Sequence, residues 1–211
     1  MNKGLSISSQ TGLLFNNYSM NWIKHFSFKY LFKLIGLTLI LDFLFGRYHG
    51  LVSPGGSQYS PFLDQFFNVI TWIRQFLMYT ANIVANFFGT ASYISSPQNM
   101  NIGEMIQVEI WYPCLGIGIM CFWTSFVLTN SGDWKKKGMW WISGITCICL
   151  INCLRISLLL VALDKGLAQN SSVDHHDLFN IAAYSIIGLL MYSYTEDYHK
   201  TNTFQTYHPE H

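Results

Sequence analysis

A thiol, a guanidinium and an imidazole occur in this chain at Cys114, Arg155 and His176. Together they are the groups that covalent acyl transfer requires. The imidazole would activate the thiol and later protonate the leaving amine. The guanidinium would stabilise the oxyanion that forms when a thiolate adds to a carbonyl carbon. Because this chemistry needs all three side chains within reach of one peptide bond, the elements that carry them must bring them together.

The composition indicates that those elements lie in a membrane. Of the 211 residues, 51% are hydrophobic and only 11% are charged, whereas a soluble domain carries roughly 25% charged residues. The 12 Lys and Arg nearly cancel the 11 Asp and Glu, which excludes the high net charge of a disordered chain. A net charge of +1 also excludes the strongly basic face that nucleic-acid binding needs.

Four stretches carry few charges and are long enough to cross a hydrocarbon core, which takes about 20 residues of helix. They are residues 26–45, 110–132, 138–163 and 178–195. A fifth segment, 62–89, is long and aromatic but contains polar residues at roughly helical spacing. That pattern suits a helix lying in the interface at least as well as one that spans the membrane.

The basic residues favour the interfacial interpretation of segment 62–89. If this segment stays on the outer surface, every basic cluster faces the cytoplasm, as the positive-inside rule expects. These clusters are Lys3, Lys24 and Lys29, the triplet Lys135 to Lys137, and Lys200. We therefore predict an all-α polytopic membrane protein with about four transmembrane helices, one interfacial or re-entrant helix, and both termini inside. A fully spanning 62–89 segment remains the alternative.

The same pattern divides the chain into three parts. Residues 1–21 are rich in Ser, Asn and Gly, which predicts a disordered cytoplasmic N-terminus. Residues 22–195 form a single membrane-embedded domain, and residues 196–211 form a polar cytoplasmic tail. Between the fifth segment and the 110–132 span, the turn residues Asn101 to Gly103 ahead of Val108 predict a short extracytoplasmic hairpin.

Arg155 is the one charged residue inside the 138–163 stretch. A rise of about 1.5 Å per residue from Lys137 places it near the outer boundary of the hydrocarbon core. Asn152 lies one turn earlier on the same helix face, so the two side chains would line one polar notch. The alternative is that Arg155 only reaches outward to lipid headgroups.

Cys114 follows a proline, and proline is favoured at the first position of a helix. We therefore expect Pro113 to open the 110–132 helix at its outer end. Cys114 would then lie in the first turn, where free N–H groups and the helix dipole favour a thiolate. The other cysteines are interpreted as small buried apolar residues, with a disulfide among them left open; they are Cys121, Cys147, Cys149 and Cys153. Their spacing does not suit zinc, and no metal or cofactor is expected.

A tetrad of titratable residues, Asp174-His175-His176-Asp177, comes directly before the last predicted span. By the predicted topology it lies at the outer face, the same boundary as Cys114 and Arg155. The alternative for Asp174 or Asp177 is a simple helix cap. Three separate helices thus bring a thiol, a guanidinium and an imidazole to one membrane boundary.

The ordered set Cys114-Leu115-Gly116, Asn152-Cys153-Leu154-Arg155 and His176-Asp177 resembles the exosortase/archaeosortase family, in particular its small Bacteroidetes-type members. The resemblance covers residues 110–194. It implies that Cys114 is the nucleophile and that Arg155 and His176 complete the active site. Four further residues are expected to support these three: Asn152, His175, Asp177 and Gly116. The chain departs from many relatives in having Leu115 where they have Ser and Asn180 where they have Gly.

The resemblance also implies the substrate: a secreted protein whose C-terminus carries a short motif, a transmembrane helix and a basic cluster. Cleavage would occur at the outer face of the cytoplasmic membrane, by transpeptidation or hydrolysis. We expect the substrate helix to pack where Gly116, Gly118 and Gly144 permit close approach. Two alternatives stay open. One is a non-enzymatic membrane scaffold for surface polysaccharide assembly or export. The other is a metal-dependent hydrolase built on the tetrad, which lacks an HExxH motif.

Overall fold

The computed structural model describes residues 28–55, 58–166, 181 and 183–197, and these are mostly helical. The helices are α1 (Phe28–Val52), α2 (Pro61–Phe67), α3 (Val69–Phe87), α4 (Ile117–Thr129), α5 (Trp134–Asp164) and α6, which is helical at 181 and 183–197. Three antiparallel strands follow α3, namely β1 (Ser92–Ile94), β2 (Asn99–Ile102) and β3 (Ile106–Glu109). A short 3-10 helix, Tyr112–Leu115, then leads to α4 and is called the cysteine turn below. The predicted N-terminus 1–21 and residues 198–211 of the predicted tail lie outside the described residues.

Helix α5 is, within the described residues, the one helix long and apolar enough to cross a membrane. Its 31 residues correspond to about 46 Å of helix, which exceeds a hydrocarbon core of about 30 Å. Helix α4 is apolar but has only 13 residues, or about 20 Å. The prediction of a single helix over 110–132 is therefore wrong. The cause is local, because Gly116 adopts a left-handed φ of 72° and separates the cysteine turn from α4.

Polar contacts gather four helix ends at one end of the bundle. The amide of Asn130, just after α4, donates to the Tyr30 hydroxyl near the start of α1 at 3.0 Å. Lys136 at the start of α5 forms an ion pair with Asp197 at the end of α6, with an N–O distance of 2.9 Å. The indole of Trp140 donates to the same carboxylate at 3.3 Å. We call this the lysine end, because the Lys135–Lys137 triplet and the start of α1 lie there.

At the opposite end of α1, Asn68 breaks the 62–89 segment into two helices. Its amide nitrogen donates to the carbonyl of Val52 at 3.2 Å, and its side-chain oxygen caps α3 by accepting from the Thr71 N–H at 2.9 Å. The Tyr48 hydroxyl also donates to the Phe67 carbonyl. The prediction of one continuous helix over 62–89 is therefore wrong, since a capping residue starts a new helix within it.

Helix α3 packs against α5 and carries the small sheet at its C-terminal end. The predicted hairpin is confirmed as β2 and β3, which pair around Gly103, and β1 adds a third strand. Asn82 accepts a hydrogen bond from the Ser92 hydroxyl at 2.7 Å, and Asn86 donates to the Ser92 carbonyl at 3.1 Å. These asparagines are therefore the anchor of the sheet, which explains part of the polar spacing in the 62–89 sequence.

Gly144 lets α4 and α5 approach closely. The indole of Trp123, a fully buried side chain of α4, fills the space where a Cβ at position 144 would stand. Trp123 belongs to the apolar cluster near the lysine end, together with Leu34, Ile148 and Tyr194. A side chain at position 144 would overlap a ring that has no room to move.

We expect Gly144→Ala to lower the free energy of unfolding by about 2–3 kcal/mol, because the added methyl group overpacks the α4–α5 interface. Denaturant unfolding of the purified chain in detergent micelles measures this loss. Gly138→Ala is the matched control on the same helix, since nothing lies within 4 Å of a Cβ there. Equal stabilities of the two variants would contradict the packing described.

Candidate functional site: the cysteine turn

The cysteine turn holds Cys114 in a half-buried position beside the apolar core at the end of the bundle remote from the lysine end. The Cys114 N–H donates to the Trp111 carbonyl at 2.9 Å, which closes the turn. The prediction that Pro113 opens the 110–132 helix and places Cys114 in its first turn is wrong. Pro113 is instead the second residue of the 3-10 turn, which begins at Tyr112, and α4 begins at Ile117 with Gly116 as its N-cap. The thiol therefore lies before the helix and not within its first turn.

Asn152 ties this turn to α5. Its buried amide nitrogen donates to the carbonyl of Leu115 at 3.2 Å. A Cβ at position 116 would overlap the same amide nitrogen, so only glycine fits beside it. Leu115 itself is fully buried. Two of the residues predicted to support the site, Asn152 and Gly116, are thus in direct contact next to Cys114, and Leu115 anchors the turn in the core.

Arg155 is half-buried on α5, one turn after Asn152. The hydrogen bond from Asn152 to the Leu115 carbonyl therefore joins the cysteine turn to the turn of α5 that directly precedes Arg155. The other predicted participants, His175, His176 and Asp177, lie outside the described residues, as does Asp174. The structure brings together the cysteine turn, Gly116 and Asn152, and Arg155 follows on the same helix.

All five cysteines are free thiols. Cys121 and Cys153 are buried in the same apolar cluster, as predicted, whereas Cys147 and Cys149 are half-buried. Among the described residues, no three His, Cys, Asp or Glu side chains group together as metal ligands. Cys114 therefore stands apart from the other thiols by its place in a turn and not within a helix.

The three glycines predicted to receive a substrate helix are used within the chain itself. Gly116 faces the Asn152 amide and Gly144 faces the Trp123 indole, so both are occupied. Gly118 faces α1, where a Cβ would lie 3.6 Å from the Asp42 carboxylate. Close approach is required at Gly116 and Gly144, but their neighbours are α5 and α4, whereas Gly118 makes an ordinary contact with α1. The prediction of a substrate helix at Gly116 and Gly144 is wrong.

Two side chains that the sequence did not single out for chemistry lie beside the cysteine turn. The ring of His49, near the end of α1, packs on the Tyr112 ring with centroids 4.5 Å apart. Helix α3 also contacts the turn, and its Arg74 is buried with only 6% of its surface exposed. The sequence signal was present, because Arg74 is the lone charged residue between Asp64 and Glu104.

The charges of this neighbourhood come from Arg74 and Glu109. The positive charge of Arg74 lies near enough to act on the His49 ring. Burial lowers the pKa of Arg74, while the carboxylate of Glu109 acts in the opposite direction. Arg74 is therefore the fixed cation here, and the His49 imidazole supplies a hydrogen-bonding nitrogen.

Comparisons with protein-family models, with curated proteins and with solved structures give no match to this chain. The chemistry of the site therefore follows from its own residues. Those residues are a cysteine in a closed turn, an asparagine that fixes the turn to α5, and an arginine one helical turn away on α5.

Proposed function

We propose that this chain is a membrane cysteine transpeptidase or protease that cleaves the C-terminal sorting signal of secreted proteins. Cys114 is the nucleophile, Arg155 stabilises the oxyanion, and His176 transfers the proton. The observation that supports the proposal best is the buried hydrogen bond from Asn152 to the Leu115 carbonyl. It holds the turn that bears the thiol against the helix that bears the guanidinium, and such preorganisation is what covalent catalysis needs.

The proposed reaction has two halves. The Cys114 sulfur adds to the scissile carbonyl carbon while His176 takes the thiol proton, and the negative oxygen that forms faces the Arg155 guanidinium. The C–N bond then breaks, the leaving nitrogen takes the proton from His176, and a thioester remains on Cys114. An incoming amine gives transpeptidation, and water gives hydrolysis. In either case the acyl group leaves the sulfur and the thiol is restored.

We place the reaction at the outer face of the cytoplasmic membrane. Four crossing segments carry the chain through the bilayer: α1, the cysteine turn with α4, α5 and α6. Segment 62–89 remains on the outer side. The contacts at the lysine end support this topology, because they put the basic start of α1 beside the Lys135–Lys137 triplet. Both basic clusters then face the cytoplasm, and the cysteine turn faces outward.

Labelling from outside the cell tests this arrangement. A variant that keeps only Cys114 is expected to react with a membrane-impermeant maleimide added to intact cells. A Cys-free variant with Lys136→Cys is the matched control, and it should react only after the membrane is permeabilised. Labelling is measured by the mass increase of the purified chain. Reaction of Cys114 only after permeabilisation would place the turn on the cytoplasmic side and overturn the proposed topology.

A further inference from the structure

Arg74 is a buried guanidinium with an unsatisfied nitrogen. Its side chain is 6% exposed, and within the described residues its Nε has no hydrogen-bond partner. The ion pair between described residues joins Lys136 to Asp197 and leaves Arg74 out. Burying a charge without a partner costs free energy. A buried, unpaired guanidinium therefore indicates a functional role.

The groups around Arg74 come from three other elements. His49 projects from α1, and its Nε2 lies 3.1 Å from the Ser53 hydroxyl, which leaves Nδ1 for another partner. Glu109 at the end of β3 acts on Arg74 through its charge, but not within ion-pair distance among the described contacts. The cysteine turn contacts α3, and its Tyr112 packs on His49. These side chains form a small polar group on α1, α3, β3 and the turn, called the arginine cluster below.

We infer that Arg74 and His49 form a binding site for a single carboxylate group. The guanidinium presents a planar fork of N–H donors that matches the two oxygens of a carboxylate, and its Nε is free to donate. The His49 imidazole adds one further hydrogen bond.

The net charge of the arginine cluster determines which class of anion it binds. Arg74 supplies one positive charge, and Glu109 lies close enough to offset part of it. Phosphate at neutral pH carries more than one negative charge, about −1.5 to −2 for a phosphate group on a side chain, and the arginine cluster would leave part of this charge uncompensated. A carboxylate carries one charge and fits. The site does not depend on the chemistry of Cys114.

Thermal unfolding of the full chain in detergent micelles tests the inference, with sodium acetate as the probe and sodium chloride at equal ionic strength as the reference. We expect acetate at tenfold above its Kd to raise the Tm of the wild-type chain by about 3–5 °C. Arg74→Gln should abolish this rise. The control Arg47→Gln, which changes an exposed arginine on α1, should keep it. Arg74→Lys should lose most of it, because lysine lacks the fork, and it serves as the test if Arg74→Gln does not fold.

Three further probes define the ligand. N-acetylglutamate diamide cannot supply a carboxylate and should give no rise, whereas N-acetylglycine presents a chain-terminal carboxylate and N-acetylglutamate amide a side-chain carboxylate. Whichever of N-acetylglycine and N-acetylglutamate amide gives the larger rise in Tm shows whether the site takes a chain-terminal or a side-chain carboxylate. Cys114→Ala should respond to acetate as the wild type does, so the carboxylate site and the proposed peptidase activity can fail independently. An equal rise with phosphate, or an undiminished rise in both Arg74 variants, would overturn the inference.

Discussion

Replacing Cys114 with alanine is expected to abolish processing of the secreted substrate, a loss of at least about 10³-fold in rate. The reason is chemical, since alanine offers no atom that can form the thioester and water alone attacks a peptide slowly. The measurement is the ratio of processed to unprocessed substrate in cells that express the chain. The substrate is a secreted protein that ends in a short motif, a transmembrane helix and a basic cluster.

The control is replacement of the other thiols. Cys121→Ala and Cys149→Ala remove cysteines that lie within helices α4 and α5, so processing should remain within a few-fold of the wild type. Each variant must be present in the membrane at wild-type level for the comparison to count. Full processing by Cys114→Ala at that level would exclude covalent catalysis by this residue.

Gly116→Ala is expected to be the most disruptive small change near the site. A Cβ at φ 72° costs about 1 kcal/mol. The same Cβ overlaps the Asn152 amide, and displacing it leaves the buried Leu115 carbonyl without its donor, at about 1–3 kcal/mol. The free energy of unfolding should therefore fall by about 2–4 kcal/mol. Denaturant unfolding of the purified chain measures this, and kcat should fall as the cysteine turn loosens.

A double-mutant cycle separates the overlap from the backbone strain. The three nearest atoms that a Cβ at position 116 would meet belong to the Asn152 side chain. Once Asn152→Ala removes them, the added methyl group of Gly116→Ala fits, and only the strained φ remains. We expect the double variant to be more stable than the sum of the single losses by about 1–2 kcal/mol. Gly118→Ala, with ordinary 3.6 Å contact, is the neutral control, and strict additivity would contradict the geometry at Gly116.

The sequence predicted correctly those elements that a short stretch of residues determines by itself. The long apolar run before Leu163 predicts α5, and the turn at Gly103 predicts the β2–β3 hairpin, because hydrophobic length and turn chemistry act within a few residues. The start of α4 was misplaced for the same reason. Proline suits the first turn of a 3-10 helix as it does that of an α-helix, and Gly116 is the signal that the 3-10 turn ends there.

The features that the sequence did not predict depend on contacts between residues far apart in the chain. Asn152 and Leu115 are far apart in the chain, and no local pattern pairs an amide with a distant carbonyl. The polar residues of segment 62–89 recur at roughly helical spacing and predict one helix there. In the structure Asn68 caps a helix, and Asn82 and Asn86 hold β1. The polar pattern also gives no sign that Arg74 is buried on α3, the helix that contacts the cysteine turn.

The most direct test of the proposed covalent chemistry is to look for the thioester on Cys114. The chain is recovered at low pH from membranes of cells that also express the secreted substrate, and its peptides are mapped by mass spectrometry before and after hydroxylamine. The expected result is a hydroxylamine-labile adduct on the peptide that contains Cys114, with the mass of the N-terminal part of the processed substrate. Continued processing with an unmodified Cys114, or with the adduct on another residue, would contradict the account.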